Sequence, residues 1–343
     1  MNAATRPRPA PTAAGQVPMQ AIVQRRYGAV PEEVLRLEEA ARPVAGRGEV
    51  LVRVRAAGVD RGTWHLMAGL PYLARFIGFG LRGPKIPVPG WAVAGTVEAV
   101  GGDVTGIEPG DEVFGTCRGS FAEYAVTLPS RLVPKPGSLT FAQAAALPIS
   151  ATTALRAVRD SAKVRPGQHV LVIGAGGGVG TFAVQFAKAF GAEVTAACGP
   201  AKTDVVRAAG ADHVLDYTRE DPVSGQHRYD AVIDIGGGRP VAHLRRALTP
   251  RGTLVLTGNE DGGRLFGGMG RSAGAQLLSP FVSQRLTAPI VRESRADLVT
   301  LAAMASTGAV TPAIDRAYPL GEAAAALRHL AEGRARGKVV ISV

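Results

Sequence analysis

His169-Val170-Leu171-Val172-Ile173 runs directly into Gly174-Ala175-Gly176-Gly177-Gly178-Val179-Gly180, an apolar strand delivered into clustered glycines and then into a helix. Glycine lets a backbone turn tightly and approach a ligand with no Cβ in the way. The opening turn of the following helix aims unpaired N–H groups and a positive dipole end outward. That combination suits the pyrophosphate of a dinucleotide. The strict G-x-G-x-x-G pattern fails, because counting from Gly174 and Gly176 puts Val179 in the third slot; the spacing that fits is Gly174, Gly177, Gly180. Gly178 and Val179 complete the opening turn. A ligand-free strand-to-helix turn selects glycine as well, so the elements around it must decide.

Those elements alternate. Apolar runs at 170–173, 193–198, 213–215, 231–234 and 253–257 are separated by helical stretches at 181–190, 202–209 and 239–248. This predicts right-handed crossovers and a doubly wound parallel sheet of the Rossmann type over residues 149–309. In the helix after the glycines, Val179, Ala183, Phe186, Ala187 and Phe190 share one face, and Gly191 is the expected stop. Residues 19–148 read instead as short strands and turns, with strands expected at 20–24, 34–38, 49–56, 93–100, 111–116 and 121–126 and a capped helix at 140–146. Residues 310–343 return to strand and short helix, which makes the nucleotide domain an insertion into a β-barrel-like domain. Residues 1–18, rich in Pro and Ala without an apolar core, read as a disordered extension and not as a secretory signal.

A chain of 343 residues with 46% hydrophobic and 20% charged residues is that of an ordinary globular protein of about two domains. No apolar run approaches the roughly 18 residues of a membrane span. Cys117 and Cys198 are the only cysteines, too few for a disulfide framework or a multi-cysteine zinc site, and a reducing cytoplasm is the default expectation. The net charge of +11 is spread along the chain without a basic run interleaved with aromatics, which argues against nucleic acid and for a phosphorylated cofactor or an anionic substrate.

Several further stretches carry a family resemblance: 19–23, 48–54, Gly95-Thr96-Val97, Pro109-Gly110-Asp111-Glu112-Val113-Phe114-Gly115, 119–124, Gly210-Ala211-Asp212-His213-Val214-Leu215-Asp216-Tyr217 and the closing Arg336-Gly337-Lys338-Val339-Val340. With them the chain resembles a medium-chain dehydrogenase/reductase of the zinc-independent, quinone-oxidoreductase-like branch. The resemblance covers essentially everything after Pro18 and implies an α/β fold, a GroES-like β-barrel catalytic domain plus the Rossmann sheet. Where zinc alcohol dehydrogenases of this superfamily place their ligands, this chain has Asp60, then Trp91 after Gly90, then Ile149, and the four-cysteine lobe is missing. One carboxylate cannot close a tetrahedral zinc site, so no metal is expected. Without a Lewis acid, hydride delivery to an already electrophilic carbon, in a quinone, enone or enoyl group, is the favoured chemistry.

The resemblance also implies roles. No acid follows Cys198 at the end of the second nucleotide-binding strand, whereas Lys202 and Tyr217 occupy positions that meet a 2′-phosphate in similar reductases, so NADPH is expected over NADH. Lys202 also reads as a solvated lysine of a first helical turn. Asp60 replaces a family asparagine and reads as an acceptor from the ribose, a proton shuttle, or a carboxylate bonded only to backbone. Tyr72 lies near the place of a tyrosine proton donor, or is part of an apolar wall. Thr153 contacts the nicotinamide end or caps a helix. Gly236 and Gly258 close strands whose carboxyl ends face the ligand. The apolar stretch 70–82 is either a pocket lid or a helix packed over the barrel. The histidines, His65 included, show no ligand spacing.

The expectation is an NADPH-dependent, zinc-independent reductase of a small hydrophobic electrophile, with no nucleic-acid or membrane partner. An alcohol dehydrogenase or ketoreductase, and a non-catalytic NADPH-binding regulatory protein, are the alternatives. By analogy the chain pairs as a homodimer through a sixth strand at 286–291, although Pro289 lacks the N–H such a ladder needs.

Overall fold

The computed structural model describes residues 17–225, 227–258, 263–289 and 293–343. It is an α/β fold with two large sheets and a small hairpin. The hairpin pairs β1 (Pro18–Gln24) with β2 (Leu35–Ala41), antiparallel, with Pro18 opposite Ala41. Val17 and Pro18, expected in the extension, thus belong to the fold, since the Val17 carbonyl accepts from the Arg42 N–H. The rest of the expected extension, 1–16, lies outside the described residues.

The larger sheet contains β3 (Val50–Val59), β4 (Ala92–Val100), β5 (Glu112–Thr116), β6 (Tyr124–Thr127) and β7 (Leu132–Pro134), joined by the C-terminal β14 (Ile314–Pro319) and β15 (Lys338–Ser342). Its order is β14-β15-β3-β4-β5-β7, with β6 on β3. Val50, Val52 and Val54 are buried and Arg53 and Arg55 are exposed, the alternation of a strand with one face inward. Leu51 breaks the pattern and is also buried. β15 lies antiparallel to β3 with Val339 opposite Val59. The C-terminal strands therefore complete the sheet begun by residues 50–134.

Between them sit β8 (His169–Ile173), β9 (Glu193–Cys198), β10 (His213–Asp216), β11 (Tyr229–Asp234), β12 (Leu248–Leu256) and β13 (Arg285–Thr287). Every pairing is parallel and the order is β10-β9-β8-β11-β12-β13. From β8 the chain runs outward one way through β9 and β10, then the other way through β11 to β13. The order reverses between β8 and β11, and a crevice opens there at the strands' carboxyl ends. The helix after the glycines spans Gly178–Ala189, so it starts three residues before the expected stretch 181–190 and one before Val179, where its apolar face begins. It ends at Gly191, in the left-handed region at φ +80°. Phe182, Phe186 and Ala187 are fully buried, packed among Val170, Val172, Val184 and Leu155.

Candidate functional site

The glycine turn is built by close approach. Gly174 has φ +81°, and a Cβ there would lie 2.8 Å from the Gly236 nitrogen. A Cβ on Gly180 would lie 2.3 Å from the Gly174 carbonyl oxygen, which forces helix and strand together. Gly177 caps the helix in extended conformation, and its nearest neighbour would sit 3.7 Å away, so its lack of a side chain is not required by the protein itself. Gly178, Val179 and Gly180 form the first turn, whose N–H groups have no carbonyl behind them within the helix. Beyond β11 the left-handed positions are Gly237 and Gly238; Gly236, named from the sequence, has room for a side chain. Gly258 has none, because a Cβ would fall 1.9 Å from the Ile235 oxygen.

Two lysines flank this turn. Lys202, in the short turn after β9, lies across Gly176, whose Cβ would come within 2.6 Å of the lysine Cβ, and its Nζ donates to the Gly333 carbonyl at 2.7 Å. It is thus no freely solvated lysine; burial holds its pKa below the usual lysine range. Tyr217 lies over Gly199 at the end of β9, with its hydroxyl oxygen 3.1 Å from where a Cβ would be. The nearest strand-end acid, Asp216, accepts from both the N–H and hydroxyl of Thr218.

The second lysine escaped notice in the sequence. Lys338, the first residue of β15, is 2% exposed, and a Cβ on Gly178 would lie 2.8 Å from its Cδ. Its Nζ donates to the Val59 carbonyl and the Ser150 hydroxyl, each at 2.9 Å. Burial lowers its pKa, and the charge of Asp60 opposes that shift. Gly337 bridges Gly177 and donates its N–H to the Gly176 carbonyl at 3.0 Å. The C-terminal segment therefore closes against the glycine turn. The only hint in the sequence was the position of Lys338 within the family-like Gly337-Lys338-Val339 run.

Asp60 caps the helix Arg61–Ala68, its Oδ1 accepting from the Thr63 N–H at 3.1 Å. It is buried, and Oδ2 has no hydrogen-bond partner. Burial pushes its pKa up, while the Lys338 charge and the Thr63 and Gly62 N–H groups pull it down. Tyr72 stands past the other end of the same eight-residue helix, about 12 Å of helix axis away. Thr153 is the fourth residue of the helix Ser150–Leu155, so it is not a cap; its hydroxyl donates to the Ile149 carbonyl at 2.8 Å. It lines a cavity of about 420 Å³ with Leu256, Thr257, Met269, Ser272 and Gln276. The helix Met269–Leu278 that walls this cavity is clasped to the sheet by Arg271, which donates to the fully buried Asp234 at 2.6 Å.

The stretch 70–82 forms a short helix Tyr72–Ala74 and a wider helical turn Arg75–Phe79. Phe76 is 73% and Leu81 61% exposed, while the Tyr27 hydroxyl donates to the Phe79 and Gly80 carbonyls and ties the stretch to the first domain. It meets the nucleotide-binding half, because a Cβ on Gly267 would lie 3.1 Å from Pro71. Zinc does not fit this site. Oδ1 of Asp60 holds a backbone N–H, and Trp91, 37% exposed, carries only an indole N–H donor where a ligand would be needed. Among the described residues no group of three or more His, Cys, Asp or Glu is placed to hold a metal ion. Nor, among them, is any helix long and apolar enough to cross a membrane.

Two family models match: an alcohol dehydrogenase GroES-like domain over residues 46–137 and a zinc-binding dehydrogenase domain over residues 209–341. The chain is 32% identical over 318 residues to a chloroplastic quinone-oxidoreductase of Triphysaria versicolor, covering 87% of this chain and 91% of that protein. It is 34% identical over 310 residues to a spectinabilin polyketide synthase system protein of Streptomyces orinoci, covering 89% of this chain but 14% of that much longer protein. The solved quinone oxidoreductase of Coxiella burnetii superposes with a TM-score of 0.83 at 28% identity, over 95% of this chain and 100% of that one. The chain belongs to the medium-chain dehydrogenase/reductase superfamily, in its quinone-oxidoreductase-like branch. It is an oxidoreductase. The "zinc-binding" of the matched domain's description is not met by the donors this chain supplies.

Proposed function

We propose that the protein is an NADPH-dependent reductase that adds hydride to an activated acceptor: a quinone, an enone or an enoyl C=C. The observation that carries this reading is the chemistry where the two halves meet. In place of a metal-ligand set there is a buried lysine, Lys338, against the dinucleotide turn, and a lone buried carboxylate, Asp60. With no Lewis acid to stabilise an alkoxide, the acceptor must be electrophilic already. When bound, the nicotinamide supplies the hydride.

The residues present fit that cofactor. The first turn at Gly178, Val179 and Gly180 offers N–H groups to the pyrophosphate, and Gly177 leaves space for it. Lys202 and Tyr217 hold the 2′-phosphate, and no free carboxylate at the end of β9 competes for a 2′-hydroxyl. Thr153, with Leu256, Met269 and Ala273, walls the acceptor's cavity on the nicotinamide side. The proton that completes reduction comes from the Tyr72 hydroxyl, or from water positioned by Asp60.

A cytoplasmic setting belongs to the same proposal, supported by the two free, buried cysteines. So does a homodimer, formed through the open edge of β13. That strand spans Arg285–Thr287, shorter than the sequence suggested, and part of the expected stretch, 290–291, lies outside the described residues. Beside it Leu277 is 74% and Phe281 84% exposed, apolar surface that a second copy would cover.

The test is NADPH oxidation against naphthoquinones, aryl enones and enoyl thioesters, with secondary alcohols plus NADP⁺ as the contrast. Turnover of an enone or quinone at constant activity after chelator treatment is expected. Alcohol oxidation that chelators abolish would overturn the proposal.

A further inference from the structure

The surface where 70–82 meets the helix Gly263–Phe266 has an unusual charge pattern. From Arg61 to Val97 the sequence contains Arg61, Arg75, Arg82 and Lys85 and no Asp or Glu. From Gly263 to Pro289 it contains Arg264, Arg271 and Arg285 and again no acid. With 28 acids in 343 residues, about five would be expected across two such segments. Arg271 is neutralised by Asp234, and Arg285 donates to the Ser161 carbonyl. Arg82, Lys85 and Arg264 are exposed, and no carboxylate among the described residues forms an ion pair with them or with Arg75. The acids nearest Arg264 in sequence, Glu260 and Asp261, lie outside the described residues.

Geometry brings these cations to one aromatic ring. The Arg75 guanidinium stands 4.8 Å and the Arg264 guanidinium 5.7 Å from the centre of the Tyr72 ring. Arg75 is further fixed by Tyr27, 4.3 Å away, and by donating to the Gly69 carbonyl at 2.7 Å. Two guanidinium groups from different segments are thus held around one ring, with no carboxylate partner among the described residues. Exposed Phe76, Leu81, Leu265 and Phe266 belong to the same two segments. Each guanidinium presents planar paired donors that match a carboxylate or phosphate.

We propose that Arg75 and Arg264 together bind an anionic group, carboxylate or phosphate, carried by the acceptor. The acceptor is then amphiphilic, with an apolar body along Phe76 and Leu265 and an anionic end at Arg75 and Arg264. This deepens the reductase reading and rests on it for the word acceptor. The binding site itself does not depend on turnover.

The experiment is calorimetric binding of 4-phenylbut-3-en-2-one, its ring carboxylate and its ring phosphate ester to the full chain. Wild type is compared with Arg75→Gln/Arg264→Gln and with the charge-keeping Arg264→Lys. At least one anion should bind about 10-fold or more tighter than the neutral enone. That preference should shrink at least about 5-fold in the double glutamine variant and in about 0.5 M NaCl, and persist in the lysine variant. The two anions distinguish the carboxylate from the phosphate. Equal binding of neutral and anionic forms overturns the inference, as does a preference that survives the double substitution. NADPH oxidation by the neutral enone is scored separately. Preference without any turnover would sink the reductase reading alone, and turnover without preference would sink only this inference.

Discussion

Lys202 and Lys338 approach the same glycine turn from opposite sides with different consequences for a titration or a substitution. Lys202 is held through its stem on Gly176 and through Gly333, and under the proposed function its loss would remove one charge-assisted contact to a 2′-phosphate. Lys202→Ala is expected to weaken NADPH binding by about 10- to 100-fold and NADH binding by less than about 3-fold, read by fluorescence titration. Equal losses would reduce Lys202 to a clamp between the two halves. Lys338 is a buried charge whose counter-charge is Asp60. Burial raises Asp60, and a group raised in the folded state contributes stability below its unfolded value that is lost as pH rises through the folded one. Lys338 is lowered, so its contribution is present above its unfolded value and lost as pH falls through the folded one. Each charge lowers the cost of carrying the other in this buried place. Lys338→Met should therefore destabilise by about 3 to 5 kcal/mol, and adding Asp60→Asn should recover part of that loss. The single variant should also melt lower at pH 8 than at pH 5 by a wider margin than wild type. A flat difference between the two pH values, or strictly additive losses, would show the two charges to be uncoupled.

Among the elements, the strand-turn-helix of 169–189 separates what the fold needs from what a ligand needs. Gly180→Ala must push its Cβ onto backbone at Gly174 and Ala175, which cannot yield, and should cost about 2 to 4 kcal/mol in thermal unfolding. Gly177→Ala meets nothing closer than 3.7 Å and should cost only about 1 kcal/mol through the weaker cap. Its NADPH affinity should nevertheless fall at least about 10-fold, because a methyl group then faces the pyrophosphate. Unchanged affinity in that variant would move the cofactor off the turn. The parallel strands were legible because strands buried on both faces read as continuous apolar runs. The start of the helix was not, because glycines in the first turn carry no apolar period. β12 begins at Leu248, five residues before its apolar run, because Thr249, Pro250 and Arg251 lie toward an exposed end. Lys338 was invisible as a site residue because a lysine in a C-terminal strand gives no sign that the chain returns to Gly178.

For the whole molecule, an open edge at β13 with exposed Leu277 and Phe281 leads to the expectation of a particle of about 71 kDa, twice 35.4 kDa, by light scattering. Phe281→Glu should shift it toward the monomer, since a charge buried without a partner at such a contact is strongly disfavoured. A monomer in wild type would remove the dimer from the proposal. Local order alone was enough to identify the parallel sheet and the glycine turn, because apolar periodicity and glycine spacing are properties of neighbours along the chain. The return of 310–343 to the first domain was expected from sequence, but the register of β15 on β3, the placing of Lys338 beside Asp60, and the meeting of Arg75 with Arg264 at Tyr72 were decided only in three dimensions. Each is a contact between segments distant in sequence, and burial and charge act through space.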